Sequence, residues 1–460
     1  MKPRWLELGL IFFALAAPFC SAATRHYYIA AEDVMWDFAP SGRDLIASRP
    51  IPQPWGGQTR WLKTRYIEYT DATFSVRKPQ PDWLGILGPV IRAEVGDEVV
   101  VDFLNRGRVT HSIHPHGLHY DKNNEGSLYL PAGSGSQIAP SGRFTYHWFA
   151  DAHSGPGPGQ LSSIVWWYHG HTDETRETNA GLQGPIIITA KGKARPDGSP
   201  KDADQELITS FMIFDEQGGR PAALFHAING YIFGNLPGLV IKHGAKVRWY
   251  MLGMGNEKDL HTPHWHGETA SDGQRRLDVV ELMPGSTTTI DMIADNPGTW
   301  LLHCHVADHM ESGMMATFTI YDPPTRACPV KLSAGNFWNA TDKFNVVVEN
   351  SSKKTIRSFA FDSAHLLGPY YLHRPFADAE WTGDQSIAPG QQTTMEKKAY
   401  TPNQSKQIAG WVFLPTKITY EDGTTWQPKS ENECFSILWR DADHPELTVL
   451  PTLQVDMALD

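Results

Sequence analysis

The feature that most constrains this chain is a repeated pattern of closely spaced histidines. The segment His111-Ser-Ile-His114-Pro-His116-Gly matches His261-Thr-Pro-His264-Trp-His266-Gly at all three histidines and at the glycine. Further along, Tyr-His169-Gly170-His171 matches Leu-His303-Cys304-His305. Two motifs that recur in the same order predict two copies of one domain within a single chain.

Short apolar runs punctuated by glycine and proline dominate the chain, and they indicate strands at residues 99–103, 186–189, 247–252 and 316–321. Asp422-Gly423 between β-rich runs is a hairpin signal in a region that does not repeat the histidine pattern. The sequence therefore predicts an all-β fold, with two Greek-key β-sandwich domains followed by a small C-terminal β-rich domain of unknown role. The predicted boundaries are a signal peptide at 1–23, a first sandwich at 24–192, a polar linker at 193–205, a second sandwich at 206–322 and the C-terminal domain at 327–460.

The N-terminus has the pattern of a cleaved Sec-type signal, because Lys2 and Arg4 precede an apolar stretch that ends near small residues. We therefore expect export to a periplasm or to the extracellular space. No later stretch is long and apolar enough to predict a membrane span. The net charge of -11 argues against nucleic acid as a partner, since phosphates repel an acidic surface.

The four cysteines separate into three roles. Cys20 leaves with the signal peptide, and Cys328 and Cys434 are expected to form a disulfide, as distal cysteines of an exported chain do. Cys304 remains as an odd thiol in an oxidising compartment, and ligation of a metal would protect it.

On a strand, residues two apart point to the same face, so each His-x-His step presents two imidazoles side by side. The same alternation sends Cys304 to one face of its strand and His303 and His305 to the other. His309 and Met314 lie five and ten residues after Cys304. With His261 they complete a two-His, one-Cys, weak-Met set, the ligand chemistry of a blue electron-transfer copper. Zinc would require four firm ligands.

Residues 26–321 resemble the multicopper oxidase family, through the pattern His-Cys-His-x3-His-x4-Met and the paired His-x-His motifs. The stretches 83–89 (Trp-Leu-Gly-Ile-Leu-Gly-Pro) and 253–257 (Gly-Met-Gly-Asn-Glu) are most similar to the ceruloplasmin branch. The resemblance implies that both sandwiches are cupredoxin-like and that each active unit holds four copper ions. The implied ligands are His261, Cys304, His309 and Met314 for type 1 copper, His114 and His264 for type 2 copper, and His116, His169, His171, His266, His303 and His305 for the type 3 pair.

The first repeat departs from this pattern. Gly170 replaces the cysteine, Thr175 stands where the histidine would be, Ala180 replaces the methionine, and only His111 of the type 1 set is retained. The first sandwich therefore resembles a cupredoxin without type 1 copper, in which His111 is a buried, hydrogen-bonded histidine. This is the pattern of two-domain laccases, and it implies a homotrimer with three-copper clusters at the subunit interfaces.

The resemblance implies that Cys304 passes electrons to His303 and His305, and that dioxygen is reduced to water at the cluster. Asp121 or Glu125, just after the first histidine pair, would relay protons; the alternative is that both are solvated loop acids.

For the reducing substrate we expect a phenol, as in laccases. The alternative is Fe(II) or Cu(I), as in metallo-oxidases of the ceruloplasmin type. Asp308 and His226 match acidic and histidine residues beside the blue site of those ferroxidases, but Pro221 stands where a glutamate is expected. Two rival classes are a copper nitrite reductase, which needs only three histidines at its second site, and a non-catalytic copper-binding protein.

Overall fold

The computed structural model of the chain describes residues 22–321, 328–338, 343–367, 371–373, 381–383, 385–398, 408–428, 436–440 and 446–450. The predicted signal peptide up to residue 21, including Cys20, lies outside the described residues, as does Cys434. Strands are the dominant regular element of the described residues and the helices are few and short, which confirms the predicted all-β class. No helix among the described residues is long and apolar enough to cross a bilayer.

The first sandwich has two four-stranded sheets. Its elements are β1 (Thr24–Asp37), β2 (Arg43–Asp44), β3 (Arg49–Pro50), β4 (Arg60–Tyr69), β5 (Ile91–Glu94), β6 (Glu98–Asn105), β7 (His114–Pro115), β8 (Arg143–Phe149), β9 (Ser163–His169) and β10 (Gln183–Thr189), with helix α1 at Glu174–Ala180. The strand orders are β4-β1-β6-β8 and β5-β10-β9-β7, and β2 pairs with β3. Strands adjacent in space are often distant in sequence, as in Greek-key sandwiches.

The second sandwich repeats this topology, with two short strands added at the edge of one sheet. Its elements are β11 (Gln205–Asp215), β12 (Leu224–Ile228), β13 (Val240–Lys242), β14 (Lys246–Gly253), β15 (Pro263–Trp265), β16 (Ala270–Ser271), β17 (Arg276–Leu277), β18 (Thr287–Ile293), β19 (Gly298–Cys304) and β20 (Met315–Tyr321), with helix α2 at Ala307–Glu311. The orders are β12-β11-β14-β18-β16-β17 and β13-β20-β19-β15. The second of these corresponds strand for strand to β5-β10-β9-β7, so the internal repeat is also a repeat of structure.

The registers of the two copies place the histidine motifs in equivalent positions. His114 on β7 lies opposite His169 on β9, and His264 on β15 lies opposite His303 on β19. In each copy, pairing of two antiparallel strands brings together two motifs that are distant in sequence. Cross-strand neighbours lie about 4.5–5.5 Å apart, close enough for their rings to meet.

The two sandwiches share a hydrophobic core. Trp167 of β9 and Tyr250 of β14 are both fully buried in one apolar cluster with residues of both copies. The indole N–H of Trp167 donates to the carbonyl of Gly253 at 3.2 Å, and the hydroxyl of Thr287 donates to the carbonyl of Val165 at 2.8 Å. Apolar burial of this kind stabilises the fold by about 25 cal/mol per Å². It fixes the orientation of one sandwich against the other.

The segment between the sandwiches, predicted as a linker, is an ordered loop. Ala194 and Pro200 form a β-bridge. The guanidinium of Arg195 donates to the carbonyls of Pro200 and of Ala203, the latter at 3.0 Å. These bonds hold the loop closed on itself. The polar composition therefore predicted a connecting segment correctly, but that segment is not a flexible one.

After residue 327, the described residues form one antiparallel sheet with its own apolar core. Its strands are β21 (Val330–Trp338), β22 (Lys343–Asn350), β23 (Ile356–Leu367), β24 (Tyr371–His373), β25 (Trp381–Gly383), β26 (Gln392–Lys398), β27 (Ile408–Tyr420), β28 (Thr425–Trp426), β29 (Ser436–Arg440) and β30 (Glu446–Leu450). The hairpin predicted at Asp422-Gly423 is confirmed, because β27 pairs with β28 across that turn. The disulfide between Cys328 and Cys434 remains a prediction, because Cys434 lies outside the described residues.

Candidate metal centre

The thiol of Cys304 lies between two imidazoles in the core of the second sandwich. Its Sγ is 3.9 Å from Nδ1 of His261 and 3.7 Å from Nδ1 of His309, and the two nitrogens are 3.2 Å apart. All three side chains are buried. A thiolate and two imidazoles within such a distance can hold one metal ion, and this donor set suits copper.

The surroundings of Cys304 favour its thiolate form. Burial by itself would raise the pKa of the thiol, but hydrogen bonds from His261 and His309 and from the backbone amides of Thr262 and Val306 lower that pKa to about 6. The thiolate is the form that ligates metals. The site is therefore prepared for a metal near neutral pH.

Met314, the fourth predicted ligand, is fully buried in the same apolar cluster. Its amide donates to the carbonyl of His309 at 3.0 Å, and its carbonyl accepts from the amide of Cys304 at 3.1 Å. The turn that follows α2 therefore fixes the backbone of Met314 against both predicted ligands.

Sequence reasoning missed Asp259. Its carboxylate is fully buried, and Oδ1 lies 3.2 Å from Nε2 of His261. The carboxylate also accepts from the amides of Ile213 at 2.7 Å and Asn256 at 2.8 Å. A Cβ atom on Gly255 would lie 2.1 Å from Oδ2 of Asp259, so the glycine is required there. The available signal was spacing: Asp259 stands two residues before His261, just after the Gly-Met-Gly-Asn-Glu stretch.

On the opposite face of β19, four imidazoles form one set. The rings of His264 and His266 are centred 5.0 Å apart, and His303 lies 5.4 Å from the first and 5.1 Å from the second. The ring of His305 lies 5.5 Å from those of His264 and His303. Cys304 therefore faces one way and its two neighbours the other, as strand alternation predicts.

The first sandwich carries the matching set. The ring of His114 is centred 5.4 Å from that of His116, 5.5 Å from that of His169 and 5.0 Å from that of His171. His116 and His169 lie 5.0 Å apart, and His169 and His171 lie 5.3 Å apart. The two sets therefore have nearly the same internal geometry.

In four histidines of the two sets, a hydrogen bond occupies Nδ1 and leaves Nε2 available to bind a metal. Nδ1 donates to a backbone carbonyl in four cases: His114 to Glu125 at 2.6 Å, His169 to Gly170 at 3.0 Å, His264 to Asp278 at 2.9 Å and His303 to Cys304 at 2.9 Å. A carbonyl only accepts, so the proton sits on Nδ1 and the lone pair on Nε2. Such bonds orient imidazole ligands.

Two pairs of Nε2 atoms face each other across a gap that suits a metal. The separation is 2.9 Å between His116 and His169 and 3.1 Å between His266 and His303. Two nitrogens that each bind one ion at about 2.0–2.1 Å lie roughly this far apart. Burial, together with the charges of His114 and His171, lowers the pKa of His116 to about 4. Burial also lowers the pKa of His169 and His303. Neutral imidazoles are the form that binds copper.

Within one chain the two sets do not meet. Among the described residues, the groups of three ligand atoms that lie within 4.8 Å of one another draw on one sandwich each. His114, His116 and His169 form one group, and His264, His266 and His303 form another. Each sandwich therefore carries its own set of four histidines, and the shared core holds the two sandwiches together.

The first sandwich holds a carboxylate at the position equivalent to the Cys304 site of the second sandwich. His111 is buried, as predicted, and its Nδ1 lies 2.5 Å from Oε1 of Glu177. The prediction of a hydrogen-bonded structural histidine is confirmed, but its partner was not foreseen.

The predicted proton-relay acids occupy different environments. Asp121 is exposed and caps the short turn Lys122–Asn124 by accepting from two backbone amides. The carboxylate of Glu125 forms an ion pair with Lys122 and accepts from the hydroxyl of Tyr129 at 2.9 Å. Glu174, which sequence reasoning missed, lies 3.3 Å from Nε2 of His171. Of the three carboxylates, that of Glu174 lies nearest the imidazole of a predicted ligand.

The predicted substrate residues lie beside His309. Asp308 is exposed in the first turn of α2, next to His309. The ring of His226 stands edge-on to that of His309, with centroids 5.1 Å apart. Burial, reinforced by the charges of His309 and His261, lowers the pKa of His226 to about 3. Pro221 begins a short turn, Pro221–Ala223, ahead of His226.

These elements define a protein of two cupredoxin-like β-sandwiches, with a thiolate–imidazole site in the second and histidine sets in both. Models of the multicopper oxidase family match residues 84–193 and 202–324. The chain belongs to the multicopper oxidase family, and copper is the metal that the family implies.

The chain is similar in sequence to several curated proteins. Ferroxidase HEPHL1 from Homo sapiens is 33% identical over 362 residues, which are 69% of this chain and 31% of that protein. Hephaestin from Mus musculus is 36% identical over 65% of this chain and 29% of that protein, and ceruloplasmin from Homo sapiens is 34% identical over 64% of this chain and 32% of that protein. The chain spans about a third of the length of these relatives. The first of these relatives carries the name ferroxidase, which corresponds to the alternative stated above and not to the expected phenol oxidase.

Solved structures resemble the chain more distantly. A multicopper oxidase crystal structure has a TM-score of 0.47 at 21% identity, covering 65% of this chain and 89% of that one. A copper nitrite reductase from Nitrosomonas europaea has a TM-score of 0.46 at 19% identity, covering 65% of this chain and 94% of that one.

Proposed function

We propose that this chain is an exported multicopper oxidase that couples one-electron oxidation of Fe(II) to four-electron reduction of dioxygen to water. The observation that carries the oxidase function is the position of Cys304, whose side chain meets His261 and His309 while its two neighbours, His303 and His305, face the histidine set on the other side of the strand. One strand therefore joins an electron-accepting site to a dioxygen-reducing site through a few covalent bonds.

Copper, when bound, supplies the redox chemistry. The chain's own residues supply ligands and their orientation. His261, Cys304, His309 and Met314 would hold one type 1 ion; His114 and His264 the type 2 ion; and His116, His169, His171, His266, His303 and His305 the type 3 pair. The full set of eight cluster histidines favours an enzyme that reduces dioxygen. A copper nitrite reductase needs only three histidines at its second site, and a copper-binding protein without activity would not need the full set.

Two residues on the outer side of the blue site support Fe(II) as the donor. Asp308 offers an exposed carboxylate adjacent to His309. Among the described residues, Nδ1 of His226 is buried and has no hydrogen-bond partner. A buried, unpartnered imidazole nitrogen is costly and indicates a site that a ligand completes. Carboxylate oxygen and neutral imidazole together suit a divalent iron ion.

The phenol reading has less support. Among the relatives reported above, HEPHL1 is named as a ferroxidase. Pro221 in place of the expected glutamate means that the proposed iron site has one carboxylate fewer than the ceruloplasmin pattern. We therefore propose that His226 and Asp308 alone bind Fe(II) beside the blue site. Preferential oxidation of a phenol or of Cu(I) would replace this proposal.

We further propose that the active unit is a homotrimer in which the first set of one copy meets the second set of the next. The histidines of each chain form one group in the first sandwich and another in the second. At the edge of the first set, the amide of Leu128 donates to the carbonyl of His171 at 3.2 Å, and the loop continues to Leu130, which is 90% exposed. Beside the second set lies an open depression of about 550 Å³ lined by His264, His266 and Trp300. Apolar exposure beside a half-cluster favours docking of a second copy there.

The experiment compares steady-state rates of the copper-loaded protein with Fe(II), Cu(I) and a simple phenol, following oxygen uptake. His226→Gln and Asp308→Asn should each lower kcat/KM for Fe(II) at least about tenfold, which corresponds to about 1.4 kcal/mol, and leave the phenol rate unchanged. Glu311→Gln is the matched control, because Glu311 is an exposed acid on the same helix. A phenol rate that exceeds the Fe(II) rate, with no effect of either variant on Fe(II), would replace Fe(II) by phenol.

A further inference from the structure

We propose that Glu177 is a positioning residue whose carboxylate takes the place of type 1 copper in the first sandwich and holds the histidines of the first half-cluster in register. The proposal rests on the proposed function, because it concerns ligands of the cluster assigned there.

Spacing in the sequence relates Glu177 to the second sandwich. Gly170 and Cys304 stand at the centres of the two His-x-His tripeptides, and Glu177 and Glu311 each follow seven residues later. Both glutamates lie on the short helix that follows, Glu177 on α1 and Glu311 on α2. Yet Glu177 is 1% exposed and Glu311 lies at the surface. Glutamate thus occupies equivalent positions in the two sandwiches. It is buried only in the first sandwich, which lacks the cysteine and the methionine of the predicted type 1 set.

The buried carboxylate is fully engaged. Oε1 lies 2.5 Å from Nδ1 of His111, and Oε2 accepts from the backbone amides of Thr172 at 2.7 Å and Asp173 at 3.2 Å. Hydrogen bonds to an ionised acceptor are about twice as strong as those between neutral groups. Three bonds converge on one side chain in the interior.

These contacts join the same three segments that the type 1 ligands join in the second sandwich. There, His261 precedes a His-x-His pair, Cys304 is the centre of the tripeptide, and His309 lies on the following helix. In the first sandwich His111 is the equivalent of His261, and Thr172 lies two residues after the equivalent of Cys304. Glu177 itself lies on the helix. One carboxylate thus cross-links the three segments where a copper ion would do so.

The cross-link acts directly on the predicted cluster ligands. His111 stands three residues before His114, and Thr172 follows His171 in the chain. Between them, the amide of His171 donates to Oγ of Ser112 at 3.1 Å, and Ser112 is adjacent to His111. The Glu177 carboxylate therefore fixes the backbone of both His-x-His segments from the side opposite to the cluster.

Gly170 shows that the carboxylate and a cysteine exclude each other. A Cβ atom built on Gly170 would lie 2.8 Å from Cβ and Cδ of Glu177 and 2.9 Å from Oε2. Its backbone is not in the left-handed region, so the glycine is required by Glu177 and not by the turn. A cysteine at position 170 and the buried carboxylate of Glu177 therefore cannot occupy their places together.

The experiment is copper reconstitution of the copper-depleted full-length protein, with Glu177→Ala and Glu177→Gln compared with Glu311→Ala and Glu311→Gln. We measure copper bound per chain, the blue absorption of the Cys304 site and the electron paramagnetic resonance signal of type 2 copper. Glu177→Ala should need about 10- to 100-fold more free copper to fill the histidine cluster, with an altered type 2 signal. The blue absorption should be unchanged, and the Glu311 variants should match the wild type.

Glu177→Gln keeps the shape of the side chain but not its charge, so it should fall between the wild type and Glu177→Ala. If Glu177→Ala does not fold, as judged by the loss of blue absorption, the glutamine variant decides by the same criteria. The proposal is overturned if the folded variants fill the cluster at the wild-type copper concentration with an unaltered type 2 signal. A wild-type protein that binds only type 1 copper and consumes no oxygen would instead overturn the proposed function.

Discussion

The Oδ1 atom of Asp259 lies 3.2 Å from Nε2 of His261, and neither side chain is exposed to solvent. Nδ1 of the same imidazole faces Cys304. A carboxylate behind a ligating imidazole raises the basicity of the ligand and fixes its ring. We therefore expect the buried charge of Asp259 to influence the reduction potential of the proposed blue site through His261.

Asp259→Asn should raise the reduction potential of the blue site, because a weaker negative charge behind His261 stabilises Cu(II) less. A tenfold change in the relative affinity for the two oxidation states corresponds to about 59 mV. Redox titration of the blue absorption measures the shift. Glu257→Gln is the control, since Glu257 is exposed two residues away. An unchanged potential in Asp259→Asn would show that the carboxylate only supports the loop through Ile213 and Asn256.

Cys304→Ser should abolish the blue absorption and the oxidation of every reducing substrate, since the proposed electron entry has no other route. Copper bound by the eight histidines should remain, so the bound copper should fall by one ion per chain. Elemental analysis together with the type 2 resonance signal checks this result. Persistent blue colour in the serine variant would sink the assignment of Cys304.

Met314→Leu should retain the blue absorption and raise the reduction potential, because the axial ligand tunes the potential of such sites. Leucine has nearly the volume of methionine, so the core around Met314 should accept it at a cost below about 1.5 kcal/mol. Redox titration and thermal unfolding are the two measurements. A potential equal to that of the wild type would argue against Met314 as a ligand.

Leu130→Asp should convert the proposed trimer to monomers, since a charge replaces an apolar side chain that is 90% exposed, two residues after Leu128, whose amide bonds to His171. The cluster copper should be lost with the assembly, while the blue absorption persists because that site lies within one sandwich. Sedimentation velocity and copper content measure both effects. Val76→Asp is the matched control, at a valine that is 58% exposed elsewhere on the first sandwich. A Leu130→Asp trimer with full copper content would contradict this interface.

The copper-free protein should lose stability as the pH falls below about 6.5. The folded chain lowers the pKa of His226 from 6.5 to about 3, so between these values the unfolded chain binds a proton there that the folded chain does not. The free energy of unfolding therefore falls as the pH falls through this window. His226→Gln should reduce the slope, measured by urea unfolding from pH 7 to 4, with His153→Gln, an exposed histidine, as control. Equal slopes in all three proteins would show that His226 does not contribute.

The sequence by itself determined the local features of this protein. Alternation along β19 placed Cys304 and His303 on opposite faces, and a repeated motif predicted two sandwiches of the same topology. It also predicted that His111 is buried. These features depend on neighbours within a few residues, or on the pairing of two strands, and side-chain periodicity records both.

Only the tertiary structure decided which groups complete each site. The partner of His111 is Glu177, 66 residues away, and the polar character of Glu177 alone would place it at the surface, as it does Glu311. Packing of the two sandwiches, through contacts such as that of Trp167 with Gly253, fixes where the two histidine sets of one chain lie. Burial and charge at a point in space depend on every segment that converges there, and no single stretch of sequence contains that information.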